Sequence, residues 1–221
     1  MKHAFGLDIP LTLEDVCNPR RLALVVYDMQ VGIVSQIANA AQVTSAVVAV
    51  LDAARGAGVR VFFTRHMSLP NEVAGTSQLR TAMAWQHAPT VARVKPAFPR
   101  DSAQFELVPD VSPAPTEAIF DKIAMSAFVG TPLEMALRDC RLEAFAIVGI
   151  AMEVGIEPTV HHGIDLGFLP VVVTDACGAG HPEAAERALA TLRFAGGSIE
   201  THSAAIRSAL ASSTAPNRAR T

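Results

Sequence analysis

The sequence predicts a three-layer α/β protein with a mostly parallel, six-stranded sheet flanked by helices. Short apolar runs such as RLALVVYD and AFAIVGI have the length and composition of buried parallel strands. Segments with helical spacing alternate with these runs, which is the pattern of successive βαβ units. A chain of 221 residues is long enough for one such domain with a full core.

Composition and charge exclude several classes of function. Half of the residues are hydrophobic and the net charge is −3, so there is no basic field for nucleic acid or for an anionic membrane. No apolar run approaches the roughly 20 residues that span a bilayer, and the start MKHAFGLDIP lacks the features of a signal peptide. We therefore expect a cytoplasmic protein with no nucleic-acid or membrane partner. The three widely spaced cysteines favour reduced thiols over a disulfide or zinc framework.

The first half of the chain predicts one βαβ unit followed by a long excursion. Residues 1–20 are expected to be an irregular lead-in with one capped helical turn, and RLALVVYD is a strand that ends at Asp28. Alanine and valine recur at helical spacing from Asn39 to Ala57, and VRVFFTRH follows as a second strand. The segment from Met67 to Asp110 is rich in proline, with a helix predicted from Ser77 to Trp85. Long loops of this kind are often functional, so we expect this segment to shape a pocket.

The second half supplies the remaining elements. EAIFDK is a short strand that ends at Lys122, and a helix is predicted from Pro132 to Asp139. Further on, LPVVVTDACG is a strand, HPEAAERALATLRFAG a helix, and SIETHSAAI a final strand with a short segment after it. Residues 1–211 are predicted to form a single domain. The polar tail from Ser212 is predicted to be disordered.

The stretch from Ala144 to Gly167 is the expected centre of the molecule. AFAIVGI is a buried strand and Thr159 onward is predicted to be helical, so the residues between them form a strand-to-helix turn. Open parallel sheets bind their ligands outside the carboxyl ends of the strands. Asp28, Lys122 and Gly155 each fall at such an end and are expected to lie near one another.

The turn GIAMEVGIEPT, from Gly149 to Thr159, resembles the nucleophile turn of the isochorismatase-like superfamily of cysteine hydrolases. That turn has the pattern G-hydrophobic-small-x-x-hydrophobic-Cys-hydrophobic-x-x-Thr, and Gly155 stands at the place of the cysteine. The resemblance extends over D-x-Q from Asp28, K-x-x-x-SAF-x-x-T-x-L from Lys122, and V-V-x-DAC near the last strands. It implies an isochorismatase-like, Rossmann-type fold.

The glycine decides what activity the resemblance implies. Glycine cannot form a thioester, and true isochorismatases, which cleave a vinyl ether without a covalent intermediate, also carry glycine here. The resemblance therefore implies a hydrolase that acts on a small molecule without a cysteine nucleophile, at a vinyl ether or a C–N bond. The alternative is a pseudoenzyme that binds a small ligand without turnover. The resemblance and the apolar composition also imply a homodimer or homotetramer.

The resemblance assigns roles to particular residues. By itself Asp28 is equally well an ordinary loop acid, and Lys122 by itself is more often a solvated strand-end charge. In the family, the residues at these two positions form the acid–base pair. The peptide corresponding to Ile150–Ala151 is cis in the family. The amides of Ala151 and Gly155 are then expected to bind the substrate oxygen, as in an oxyanion hole.

Three further residues are candidates for binding substrate. Glu153 lies in the turn among apolar neighbours and is expected to bind a substrate amine or to orient water. His66 ends the second strand and is the histidine best placed for the pocket, while Trp85 either walls the pocket or is a buried anchor. His161 and His162 are adjacent on a helix and cannot share a face, so we expect neither a metal nor a cofactor.

Overall fold

A computed structural model describes residues 1–214 as a three-layer α/β protein with a six-stranded sheet, which confirms the predicted fold class. All neighbouring strands of this sheet are parallel, in the order β5-β4-β3-β6-β7-β8. The strands are β1 (Lys2–Ala4), β2 (Leu7–Ile9), β3 (Leu22–Tyr27), β4 (Arg60–His66), β5 (Ala118–Lys122), β6 (Ala144–Ile150), β7 (Leu169–Gly178) and β8 (Ile199–Thr201). The helices are α1 (Leu13–Val16), α2 (Val31–Val34), α3 (Ala40–Gly56), α4 (Thr76–Trp85), α5 (Leu133–Asp139), α6 (Glu157–Asp165), α7 (Pro182–Ala195) and α8 (Ser203–Thr214).

Strands β3 and β6 form the middle of the sheet. They pair in parallel over six residues, from Leu22 opposite Ala144 to Tyr27 opposite Gly149. Every residue of both strands is buried. This burial explains why their sequences are continuous apolar runs, because helices cover both faces of the sheet.

The two faces carry separate hydrophobic cores. On one face, Leu24 and Val26 of β3 point into a core completed by α3 and α8. On the other face, Ala23 and Val25 point into a core completed by α5, α6 and α7. Within residues 1–214, no helix is long and apolar enough to cross a membrane.

The lead-in is more ordered than the sequence predicts. Strands β1 and β2 form an antiparallel hairpin, joined by Phe5 and Gly6 with φ of 52° and 77°. Two successive left-handed residues suit the twist of a hairpin, but phenylalanine rarely takes that conformation, so this turn could not be predicted from its residues. The expected capped turn is α1, where Thr12 and Asp15 cap each other's backbone N–H groups.

The C-terminal end also differs from the prediction. The last strand is only three residues long, and Ser203 begins α8 because the Asp175 carboxylate accepts hydrogen bonds from its backbone N–H (2.7 Å) and its hydroxyl (2.6 Å). The predicted tail boundary at Ser212 is too early, since α8 runs to Thr214 and Ser212 Oγ donates to the Ser208 carbonyl. The rest of the predicted tail, residues 215–221, lies outside the described residues.

Candidate active site

Asp28 lies directly after the central strand β3 and is buried. Its Oδ2 accepts a hydrogen bond from Lys122 Nζ at 2.7 Å, and its Oδ1 accepts one from Thr64 Oγ1 at 2.6 Å. Successive side chains of a strand point to opposite faces. A φ of 47° at Asp28 breaks that alternation, so that the side chains of both Tyr27 and Asp28 reach Lys122.

Lys122 ends the edge strand β5 and reaches across β4 to the end of β3. Its side chain is 0% exposed, and Nζ donates to Asp28 Oδ2 (2.7 Å), Tyr27 Oη (2.8 Å) and the Ala124 carbonyl (3.2 Å). An ammonium group has three protons, so all of them are used inside the protein. Burial lowers the pKa of Lys122, and the charge and hydrogen bond of Asp28 oppose that effect. Asp28 and Lys122, which were expected to lie near one another, are thus in contact.

Tyr27, like Thr64, is a member of this centre that sequence reasoning missed. Its hydroxyl accepts from Lys122 Nζ and donates to the Met125 carbonyl, and its side chain is buried. Burial and the nearby Asp28 charge raise the pKa of Tyr27 well above its usual value, so the phenol stays protonated. The available signal was a hydroxyl-bearing residue at the end of an otherwise aliphatic strand.

Gly155 provides the space that the Tyr27 ring occupies. It lies in the π-helical turn Met152–Ile156, between β6 and α6. A Cβ atom at Gly155 would lie 1.8 Å from Tyr27 Oη and 2.3 Å from Tyr27 Cζ, both far inside contact distance. Any side chain at position 155 therefore requires the tyrosine to move.

The turn around Gly155 is held by backbone hydrogen bonds. The Ile150–Ala151 peptide is cis, as the resemblance implied. The Gly155 amide, predicted to face a substrate oxygen, instead donates to the Ala151 carbonyl at 3.0 Å. Thr159 Oγ1 donates to the Gly155 carbonyl (2.6 Å) and accepts from the Ala127 N–H (3.0 Å), which ties the turn to the loop that follows Lys122.

Gln30 and His66 connect the ends of β3 and β4. The Gln30 side chain accepts from the His66 N–H (2.6 Å) and donates to the His66 carbonyl (3.0 Å), and it also donates to the Phe105 carbonyl (2.8 Å). Burial lowers the pKa of His66, the Lys122 charge lowers it further, and the Asp28 charge opposes both. His66 therefore lies within electrostatic reach of the Asp28–Lys122 pair.

Glu153 projects from the turn toward the start of α7. Its Oε1 accepts a hydrogen bond from the His181 N–H at 2.6 Å. Its Oε2 is buried, yet no group within residues 1–214 hydrogen-bonds to it. A buried carboxylate oxygen without a donor costs free energy, so this atom is suited to a ligand that brings an N–H or O–H group.

Trp85 is not a buried anchor. Its side chain is 57% exposed at the end of α4, a helix with no buried residue, so that interpretation is wrong. Its other suggested role, a wall of the pocket, stays a prediction.

The described residues include no group of three or more histidine, cysteine, aspartate or glutamate side chains that could hold a metal ion. His161 and His162 contact different partners, as is expected of adjacent residues on a helix. His161 Nε2 lies 3.8 Å from Glu157 Oε1, while His162 Nδ1 lies 3.0 Å from Ser126 Oγ.

Comparison with known families identifies the family of the domain. Residues 22–204 match the model of the Isochorismatase domain, a span that includes every residue of the centre described above. The chain belongs to the isochorismatase family of hydrolases. The parallel sheet and the placement of the centre at the carboxyl ends of its strands agree with that membership.

Among curated proteins, the chain is 26% identical over 186 residues to ureidoacrylate amidohydrolase RutB of Pantoea ananatis, covering 77% of this chain and 74% of that protein. It is 27% identical over 187 residues to ureidoacrylate amidohydrolase RutB of Caulobacter segnis, covering 77% and 78%. It is also 33% identical over 97 residues to the uncharacterized isochorismatase family protein YwoC of Bacillus subtilis, covering 44% and 49%.

Solved structures share the fold over most of their length. A cysteine hydrolase from Pseudomonas syringae pv. phaseolicola superposes with a TM-score of 0.76 at 21% identity, covering 89% of this chain and 95% of that one. An isochorismatase family protein from Burkholderia thailandensis superposes with a TM-score of 0.71 at 25% identity, covering 88% of this chain and 97% of that one. N-carbamoylsarcosine amidase from Thermoplasma acidophilum superposes with a TM-score of 0.65 at 17% identity, covering 83% of this chain and 96% of that one.

Adding a methyl group at Gly155 tests the contact with Tyr27. Gly155→Ala is expected to lower the free energy of unfolding by about 3 kcal/mol or more, because the new atom overlaps the buried ring. Urea denaturation measures the loss. Gly56→Ala is the matched control, since a Cβ there meets nothing within 4 Å and the residue ends α3. It should raise stability by about 0.5–1 kcal/mol. Equal midpoints for both variants would contradict the packing described here.

Proposed function

We propose that this protein hydrolyses a C–N bond in a small amide or ureide, with water as the nucleophile and Gly155 in the place of the family's cysteine. The observation that carries the proposal is the buried Asp28–Lys122 pair, 2.7 Å apart at the carboxyl ends of two strands. A buried carboxylate held by an ammonium group is suited to moving a proton. Burial raises the pKa of the Cys177 thiol far above its usual value, which makes that thiol unsuitable as a substitute nucleophile.

In the proposed reaction, Asp28 takes a proton from water while the water oxygen forms a bond to the substrate carbonyl carbon. The Ala151 amide donates to the carbonyl oxygen as negative charge develops there, and the charge of Lys122 stabilises the same oxygen electrostatically. The C–N bond then breaks, and the proton held by Asp28 passes to the leaving nitrogen. The products are a carboxylic or carbamic acid and an amine or ammonia.

The choice of a C–N bond is supported by the relatives. The curated proteins that cover most of this chain include several ureidoacrylate amidohydrolases. For a vinyl ether, the same Asp28 would have to be protonated and donate its proton to the substrate carbon. The two reactions therefore need opposite protonation states of one carboxyl group.

Glu153 supports a substrate that carries N–H groups. Glu153 is a residue of the turn that follows Ala151, the proposed donor to the substrate oxygen, and its Oε2 has no donor within residues 1–214. An amide or ureide N–H would supply the missing hydrogen bond. The vinyl ether group itself has no N–H, so a substrate of that class would need a hydroxyl group to supply the same bond.

A second candidate is a binding protein without turnover. It is favoured by the fact that all three protons of Lys122 and both oxygens of Asp28 are already bonded within the protein. Isothermal titration with ureides distinguishes the two: binding without release of ammonia or amine supports the binding protein.

Asp28→Asn is expected to reduce kcat by about 10²–10⁴-fold, because an amide cannot accept the proton from water. The measurement is release of ammonia or amine from a panel of small amides, ureides and N-carbamoyl compounds, with isochorismate included. Asp139→Asn, at the exposed end of α5, is the control and should leave the rate unchanged. Turnover that survives Asp28→Asn would remove Asp28 from the mechanism.

Glu153→Gln is expected to lower kcat/KM for a ureide by about tenfold, since the replaced oxygen no longer carries the charge that receives a substrate N–H. The measurement compares each ureide with its N-methylated analogue. Wild-type protein should prefer the ureide with free N–H groups, and Glu153→Gln should lose that preference. Glu157→Gln, four residues further along and paired with His161, should keep it. An unchanged preference in Glu153→Gln would show that Glu153 does not bind substrate.

A further inference from the structure

We infer that Tyr27 is a third functional member of the Asp28–Lys122 centre, a positioning residue whose hydroxyl holds the lysine ammonium and whose ring fills the space over Gly155 that a side-chain nucleophile would need. The contacts of Tyr27 do not depend on any activity, whereas their consequence for catalysis rests on the proposed function.

The first argument concerns charge. The Lys122 side chain has no exposure, so its ammonium depends entirely on protein acceptors. Tyr27 Oη is one of three, at 2.8 Å, and the hydroxyl directs its own proton to the Met125 carbonyl. Its lone pairs are thereby left to face the ammonium. The titratable groups around Lys122 are Asp28, Tyr27 and His66, and of these Asp28 and Tyr27 accept hydrogen bonds from it.

The second argument concerns space. The position of a Cβ at Gly155 lies 1.8 Å from Tyr27 Oη, 2.3 Å from Cζ and 2.6 Å from Cε1. Ring atoms of Tyr27, and not only its hydroxyl, therefore overlap the volume that a side chain at position 155 would occupy. Neither hydroxyl placed there is a ready nucleophile: Tyr27 Oη belongs to a phenol that stays protonated, and Thr159 Oγ1 donates its proton to the Gly155 carbonyl. Water is left as the attacking group.

The third argument concerns the loop after β5. Lys122 Nζ donates to the Ala124 carbonyl and Tyr27 Oη donates to the next one, that of Met125. The ammonium and the phenol thus hold two consecutive carbonyls of the loop that also contacts the turn through Ala127 and Thr159. Loss of the hydroxyl would loosen both the lysine and its loop while leaving the ring in place.

Tyr27→Phe tests the role of the hydroxyl. The chain has three lysines, Lys2, Lys95 and Lys122, so NMR of ¹⁵N-labelled lysine follows each side chain separately. Removal of one acceptor should lower the pKa of Lys122 by about one to two pH units, the usual effect of a hydrogen bond to a charged group. The exposed Lys2 and Lys95 serve as internal controls and should not shift. An unchanged Lys122 titration in a folded Tyr27→Phe protein would overturn the inference.

The pH dependence of turnover gives a second readout. If the charged lysine is needed, the alkaline limb of kcat/KM should move to lower pH in Tyr27→Phe by the same amount as the Lys122 titration. A role limited to packing would lower the melting temperature without moving that limb. Absence of turnover in wild-type protein would count against the proposed hydrolysis alone, because the NMR titration does not depend on substrate.

Fluorotyrosine incorporation covers the case in which Tyr27→Phe does not fold. Tyr27 is the only tyrosine of the chain, so biosynthetic 3-fluorotyrosine labels this residue alone. Fluorine weakens the hydroxyl as an acceptor while keeping the ring and the proton. The Lys122 titration should then shift in the same direction as in Tyr27→Phe, by less than one pH unit. No shift would contradict the proposed contact.

A pair of cysteine variants tests the role of the ring. Gly155→Cys alone should be destabilised, whereas Tyr27→Ala combined with Gly155→Cys should accommodate the thiol beside Asp28 and Lys122. The charge of Lys122 should promote thiolate formation there, so iodoacetamide should modify this thiol at least about tenfold faster than Cys17, whose pKa burial raises to about 11. Mass spectrometry measures each site. Gly155→Cys as stable as wild type, or slow modification in the double variant, would show that Tyr27 does not exclude a nucleophile.

Discussion

The rest of this structure depends on the buried ion pair between Asp28 and Lys122. Transfer of a carboxylate and an ammonium group out of water costs several kcal/mol per ion unless each one is hydrogen-bonded. Both ions are hydrogen-bonded within the protein. Thr64 donates to one oxygen of Asp28, and three acceptors surround the Lys122 ammonium. Because removal of one partner leaves an uncompensated charge, the strand ends and loops around the pair have little freedom to vary.

The architecture delivers those partners from distant parts of the chain. Asp28 follows the central strand and Lys122 ends the edge strand, with β4 between them, so the lysine side chain reaches past β4 to the carboxylate. Gln30 fixes the end of β4 through both backbone groups of His66. The parallel arrangement brings all of these strand ends to one edge, which is where open α/β sheets place their ligands.

Much of this arrangement could be predicted from the sequence. Continuous apolar runs identify parallel strands, and strand ends that share an edge bring Asp28 and Lys122 together without knowledge of their distance. The engagement of the Gly155 amide and the start of α8 could not be predicted, because each depends on a hydrogen bond formed by the folded chain. Tyr27 was missed for a related reason: its overlap with position 155 joins residues 128 positions apart and leaves no mark on the sequence near either one.

The close fit of the Tyr27 ring over Gly155 also constrains how this sequence can change over time. A substitution that introduces a nucleophile at position 155 meets the ring, and loss of the ring alone removes an acceptor from the buried ammonium. Each single substitution is therefore expected to destabilise the protein, and the cost of one depends on whether the other is present. The glycine and the tyrosine therefore form an epistatic pair, in which the residue tolerated at position 155 depends on the side chain at position 27.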